Sequence, residues 1–233
     1  MFEKQPEGLQ QRVKELATQA IEESNPTAWF DVLYSQSQGD VTQIPWAKLT
    51  CHPYLQDWLT INHTQGEGNS ALVIGCGLGD DAEALADRGF QVTAFDISPT
   101  AIDWCQQRFP DSAVNYVVAD LLALPSQWHQ AFDLVVEIRN IQALPLSIRS
   151  TVIASVACVV AAAGTLLVIN RFRETNIEPD GPPWALSNSE LAEFGELGLQ
   201  ELSRVLFYEG ERVDIPQLRL EYQKSFIEID KIS

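Results

Sequence analysis

The chain has 233 residues, 45% hydrophobic and 20% charged, the composition of a globular protein long enough to bury a sizeable core. Acidic residues outnumber basic ones 32 to 15, a net charge of -17, which argues against nucleic acid or any other polyanion as partner because phosphate binding relies on Lys and Arg. The four cysteines (Cys51, Cys76, Cys105, Cys158) show no CxxC or His-adjacent spacing, so no metal site and no disulfide framework is indicated, and a reducing cytoplasm fits best.

The opening MFEKQPEGLQQ lacks the basic start and apolar centre of a secretory signal. Leu9, Val13, Leu16, Ala20 and Ile21 then share one helical face, and that helix should stop before Asn25-Pro26. Thr27 to Tyr34 is aromatic, and Pro45-Trp46 precedes a further apolar helix around Pro53 to Leu59. Residues 1–69 therefore read as a helical, aromatic cap belonging to the same domain as a 70–233 core.

The core opens on its most informative stretch, Ala71 to Asp96. Ala71 to Ile74 suits a strand buried on both faces. Gly75, Gly77 and Gly79 allow a sharp turn and close approach to a ligand, Asp80 to Arg88 has helix composition, and Gln91 to Phe95 returns as a strand ending at Asp96. A carboxylate at that strand end lies where open α/β sheets bind ligands and has a sugar diol as its natural bidentate partner. The alternation continues through a helix near Thr100 to Phe109, a strand Val114 to Val118 before Asp120, and a strand Asp133 to Val136 before Glu137. Thr151 to Ile169 is uncharged for nineteen residues, but Gly164-Thr165 before a β-rich run favours a buried helix Leu146 to Ala163 and a strand Thr165 to Asn170 over a membrane span. After a Pro-rich loop, Glu178 to Trp184, and a helix near Ser189 to Leu197, the segments Gln200 to Tyr208 and Leu218 to Ile229 read as an edge hairpin. The expected fold is α/β: a Rossmann-like, doubly wound sheet of seven strands, mostly parallel with an antiparallel C-terminal hairpin.

Two ligand classes use such a glycine turn. Gly77 to Ala82 formally matches GxGxxA, and Asp96 stands nineteen residues past Gly77, as a nicotinamide cofactor would require. A pyrophosphate would however meet Asp80 and Asp81 at the helix start, whereas S-adenosylmethionine carries no phosphate and tolerates an acidic rim.

In this combination the residues resemble the class I S-adenosylmethionine-dependent methyltransferases. GCGLG at Gly75 to Gly79 is similar to their first motif, and FDLVVE at Phe132 to Glu137 to their fourth strand. The resemblance implies that Asp96 holds the ribose hydroxyls and that Asp120 stands beside the adenine. Where many members have an acid two residues before the first glycine, this chain has Val73, a feature tolerated in the branch that methylates thiols, thiopurines and halides. The aromatic segment Trp29 to Trp46 also looks like that branch's N-terminal cover. The expected donor-site residues are Gly75, Cys76, Gly77, Gly79, Asp96, Ile97, Asp120, Leu121, Glu137, Trp29 and Trp46, with Ile97 and Leu121 flanking the adenine. Arg139, Asn140 and Trp184 are expected near the acceptor, and Glu137 would serve as base if the acceptor needs one. His52, His63 and His129 are scattered and read as loop or packing residues. No Pro-Pro-aromatic or Pro-Cys signature of base methylation is present, so a small-molecule acceptor is expected, with no nucleic acid, no membrane and no metal. A nicotinamide oxidoreductase and a catalytically silent donor-binding scaffold or sensor remain the alternatives.

Overall fold

The computed structural model describes residues 8–175, 177–179, 181–209 and 212–225; the last stretch of the expected hairpin, Phe226 to Ile229, and Asp180 of the Pro-rich loop lie outside them. Three helices come first, α1 (Leu9–Glu22), α2 (Ala28–Gln36) and α3 (Pro53–Ile61). Then β1 (Ser70–Ile74), α4 (Asp80–Ala86), β2 (Gln91–Asp96), α5 (Pro99–Arg108), β3 (Asn115–Val118) and β4 (Phe132–Ile138) alternate. α6 (Arg149–Cys158), β5 (Val160–Arg171), α7 (Asn188–Glu196), β6 (Leu199–Glu209) and β7 (Arg212–Lys224) complete the chain order.

The seven strands form one sheet in the order β3-β2-β1-β4-β5-β7-β6. The first five are parallel, and β7 runs antiparallel between β5 and β6. The strand order reverses between β1 and β4, so their carboxyl ends open the crevice in which α/β sheets bind ligands. Strand side chains alternate between two cores. Leu72, Ile74, Val135, Leu166 and Val168 face α6 and α7, and Ala71, Val73, Val136, Leu167 and Ile169 pack with residues of α3, α4 and α5. Each such Leu, Ile or Val contributes on the order of 1.5–3 kcal/mol by leaving water. A third cluster joins the cap to the core: Trp29, Leu33, Tyr34 and Ile44 pack on Leu78 of the glycine turn and Ala101 of α5.

The region expected as one helix from Leu146 to Ala163 is split. A 3-10 turn, Leu146–Ile148, leads into α6, and β5 already starts at Val160, pairing with Phe132. The register then shifts until Leu134 meets Thr165, with Ala163 at φ 60°. Gly164 is required there, because a Cβ would sit 2.9 Å from the carbonyl oxygens of Ala161 and Phe132. Among the described residues no helix is long and apolar enough to cross a membrane.

Candidate active site

The glycine turn after β1 is shaped by its neighbours. Gly75 has φ 56°, and a Cβ on it would lie 1.9 Å from Asn140 Oδ1, so only glycine lets the loop after β4 close on the end of β1. Asn140 secures that closure by donating from Nδ2 to the carbonyls of Ile74 (2.7 Å) and Ile138 (3.1 Å). Gly77, at φ 54°, faces the cap: a Cβ would come within 3.3 Å of the Tyr34 hydroxyl and 3.9 Å of the Trp46 indole. The turn is thus pressed between the β4 loop and the aromatic cap.

Asp96, at the end of β2, is 7% exposed. The Gly77 N–H donates to its Oδ2 (3.0 Å) and the Ser98 N–H to its Oδ1 (3.0 Å). These bonds fix the carboxylate's plane while each oxygen retains acceptor capacity. Burial pushes its pKa up to about 6, the backbone donors opposing the shift. Ile97, half-buried, follows it. Asp120, also half-buried, accepts the Leu122 N–H on Oδ1 (2.8 Å), and Leu121 is buried.

The cap closes over this side. The Asp31 carboxylate of α2 accepts from Ser98 Oγ (2.6 Å) and the Thr100 N–H (3.3 Å), tying α2 to the start of α5. Trp46 Nε1 donates to the Tyr34 hydroxyl (2.7 Å), and the rings of Trp29, Phe30, Tyr34 and Trp46 meet at centroid separations of 4.0 to 6.1 Å. Cys76 is buried behind the turn. Its thiol is held well above the ordinary range by the hydrogen bond to Cys105 and by burial, so it is a filler rather than a nucleophile.

Glu137 is completely buried at the end of β4. Its Oε1 accepts the N–H groups of Asn140 (2.6 Å) and Ile141 (3.0 Å), and its Oε2 accepts Asn170 Nδ2. Burial pushes its pKa up to about 7. Both oxygens are committed to folding the loop that carries Arg139 and Asn140. Arg139 sits at φ 66°, an unusual conformation for a long side chain, and its Nη2 donates to Gln217 Oε1 of β7 (3.3 Å). Trp184 donates its N–H to the Gln142 carbonyl (2.7 Å) and lays its ring on Gly181, where a Cβ would lie 1.6 Å away. The Gln142 side chain in turn accepts the Arg171 N–H (2.6 Å), so the loop carrying Trp184 is joined to the β4 loop and β5.

The two acids at the start of α4 are not bare. Asp80 forms a bidentate pair with Arg108 at 2.8 and 2.9 Å, and half-buried Asp81 accepts the His52 N–H (2.6 Å), burial pushing its pKa up to about 6. The repulsion expected of two free carboxylates is therefore much reduced, and the acidic turn alone does not decide between the two ligand classes. Among the described residues no group of three or more His, Cys, Asp and Glu is arranged to hold a metal ion.

The family described as "Methyltransferase domain" matches residues 71–164, from the start of β1 to the glycine of the β5 irregularity. The chain has the class I methyltransferase fold, and its segment 71–164 matches that domain. This chain is 34% identical over 97 residues to nodulation protein S of Sinorhizobium fredii (strain NBRC 101917 / NGR234), a match covering 40% of this chain and 44% of that protein. The alignment thus spans less than half the length of the curated relative. Among solved structures, the N-methyltransferase NodS of Bradyrhizobium japonicum WM9, in complex with S-adenosyl-L-homocysteine, is similar at TM-score 0.63 and 21% identity, covering 83% of this chain and 98% of that one. The 1,6-didemethyltoxoflavin-N1-methyltransferase of Burkholderia thailandensis is similar at TM-score 0.64 and 16% identity, covering 90% of this chain and 89% of that one. At these identities the likeness establishes the methyltransferase fold.

The interior of the site held features with no sequence signal. Tyr34, Asp31, Asn170 and Gln217 each act on residues 33 to 78 positions away, and only Ser98, as a serine before Pro99, had a readable local role as a helix cap.

Proposed function

We propose that this chain transfers a methyl group from S-adenosylmethionine to a small-molecule acceptor in the cytoplasm. The observation that carries the reading is Asp96, buried at the end of β2 and oriented by two backbone N–H donors from the glycine turn and the α5 cap. The donor chemistry of the site suits a nucleoside: Asp96 for the ribose diol, Asp120 at the next strand end for the adenine, and Ile97 with Leu121 for its faces. The backbone of Gly75 to Gly79 would take the methionine side, with Trp29 and Trp46 as cover.

When bound, S-adenosylmethionine supplies a methyl group on a positively charged sulfur. The residues of this chain align the acceptor with that methyl and keep water out, which are the requirements of an in-line displacement. Glu137 fits a positioning role, since three hydrogen bonds occupy it and none of its surface is exposed. A thiolate, halide or neutral amine can attack without a base. Nitrogen acceptors are the first to test, because two of the solved relatives are named as N-methyltransferases.

The test is titration calorimetry with S-adenosylhomocysteine, followed by transfer of radiolabel from S-adenosylmethionine across a panel of amines, thiols, halides and carboxylates. Stabilisation by NAD instead of S-adenosylhomocysteine would overturn the reading. Binding without transfer to any member would favour a scaffold or sensor.

A further inference from the structure

The N-terminal cap has a core of its own. Ala17 and Ala20 of α1 and Trp29, Leu33, Tyr34 and Ile44 are buried in one cluster, Trp46 packs against it, and Arg12 Nη2 ties α1 to α2 by donating to Gln36 Oε1 (2.7 Å). α3 belongs to the other side. Leu55, Trp58 and Leu59 are buried with residues of β1 and α4, and Trp58 Nε1 donates to Glu221 of β7 (2.8 Å). Between the two runs a short link, Ala47 to His52, in which exposed Leu49 takes φ 53°. A short link between separately packed bodies is where a hinge is built.

The cap stands over the glycine turn. The Tyr34 hydroxyl and the Trp46 indole lie on the side of Gly77 to which a Cβ would point, and Trp29 and Tyr34 are only 3% and 1% exposed. Phe30 packs against both the cap cluster and the core cluster that includes Phe95, Leu121 and Ile141. Water consequently reaches 7% of Asp96. A nucleoside is far larger than water, so the cap must be displaced before a ribose can meet both carboxylate oxygens.

Asp31 fastens the cap where it stands. Its Oδ1 accepts Ser98 Oγ (2.6 Å) and the Thr100 N–H (3.3 Å). Ser98 is fully buried and works in three directions: Oγ donates to Asp31 and accepts the Ala101 N–H (3.0 Å), while the Ser98 N–H donates to Asp96 Oδ1 (3.0 Å). One serine therefore joins the cap to the acid expected at the ribose. Hydrogen bonds to a carboxylate are the stronger kind, strong enough for this latch to set how often the cap opens.

We propose that the cap, residues 9–46, is a lid latched by Asp31 on Ser98, and that S-adenosylmethionine reaches Asp96 only after the latch opens. This inference rests on the methyl-transfer reading and adds the order of events at the same site: latch release, donor entry, reclosure. Asp31 is a positioning residue that acts on the donor through Ser98. The apparent association rate is then the intrinsic rate multiplied by the open fraction. Because the donor leaves by the same route, the latch governs both rates and has little effect on their ratio.

The test is stopped-flow tryptophan fluorescence of the full chain mixed with S-adenosylhomocysteine. Asp31→Ala should speed association and release about tenfold each while leaving the affinity within about threefold, and Asp31→Asn, which keeps an acceptor oxygen without the charge, should fall between. A lid that closes only after the donor has bound would not be hastened by losing its latch, so unchanged or slower association in Asp31→Ala overturns the proposal. Hydrogen exchange read by mass spectrometry follows the opening without any donor. Amides of α2 should exchange faster than those of β1 and β2, and Asp31→Ala should speed them about tenfold while leaving β1 and β2 unchanged. Protection of α2 equal to that of β1 and β2 in the natural chain likewise overturns the lid. Failure of the natural chain to bind S-adenosylhomocysteine would instead overturn the donor reading, and the exchange measurement would then decide the lid by itself.

Discussion

Replacing Glu137 by Gln separates a carboxylate that reacts from one that holds a loop. In the native chain two backbone N–H groups and the Asn170 amide converge on it. Gln retains a carbonyl oxygen for the Asn140 and Ile141 N–H groups. Its own amide would face Asn170, whose Oδ1 is buried and unbonded and could accept after a flip of the amide. The substitution should therefore be tolerated, whereas Glu137→Ala strands buried donors at about 1–3 kcal/mol each. The pH dependence gives the sharper number. The folded pKa, pushed up to about 7 from 4.5, makes the folded state hold the proton more tightly, so this group's contribution is full at low pH and is lost as pH rises through 7. Between pH 8 and pH 5.5 the native chain should gain about 2 kcal/mol from this residue, roughly 4–8 °C in Tm, and Glu137→Gln should lack that gain. Thermal unfolding of both proteins at both pH values measures it, the other acids cancelling in the difference. Equal pH responses would refute the buried-titration argument. Loss of methyl transfer by more than about a hundredfold in a stably folded Glu137→Gln would refute the positioning role and restore it as a base.

Three further substitutions probe the donor side. Asp96→Asn can satisfy only one of the Gly77 and Ser98 N–H groups and loses the charge toward a diol, so S-adenosylhomocysteine affinity should fall about 10–100-fold; unchanged affinity by calorimetry would remove Asp96 from the ribose site. Gly75→Ala places a methyl 1.9 Å from Asn140 Oδ1 at φ 56° and should cost about 3 kcal/mol or more, read by chemical denaturation; near-native stability would show that the β4 loop does not seal the turn. Trp46→Ala removes the ring packed on Trp29, Phe30 and Tyr34 and should destabilise by about 3 kcal/mol while speeding S-adenosylhomocysteine release in stopped-flow fluorescence; a release rate equal to the native one would show that the cap does not cover the donor.

The β1-turn-α4-β2 unit was legible in the sequence because its information is local: an apolar run, glycines where positive φ is needed, and an acid at the strand end. The start of α7 was legible for the same reason, Ser187 and Glu190 forming a capping box in the structure. What misled was a stretch without period. Val159 to Gly164 is uniformly small or apolar, so helix and strand fit it equally, and pairing with Phe132 decides for strand at Val160. The site was half legible. Asp96 and the glycines could be placed from their own neighbourhood, whereas the ion pair of Asp80 depended on Arg108, 28 residues on, and the fate of Glu137 on Asn170, 33 residues on. Asp80 and Asp81 counted as raw charge gave the wrong weight to the turn, because an ion pair and burial both reduce what a ligand would feel.

The insertion of β7 between β5 and β6 has a consequence for biosynthesis. A ribosome delivers β1 to β5, with the glycine turn and Asp96, before it delivers Gln217 and Arg219, and among the described residues β6 has no sheet partner other than the strand made after it. The nascent chain can thus assemble the five parallel strands and the glycine turn while β6 waits unpaired. The half of the sheet that carries the glycine turn and Asp96 is therefore made before the strand that joins β6 to it, so chains cut short late in synthesis would lack β7 and leave β6 without its partner.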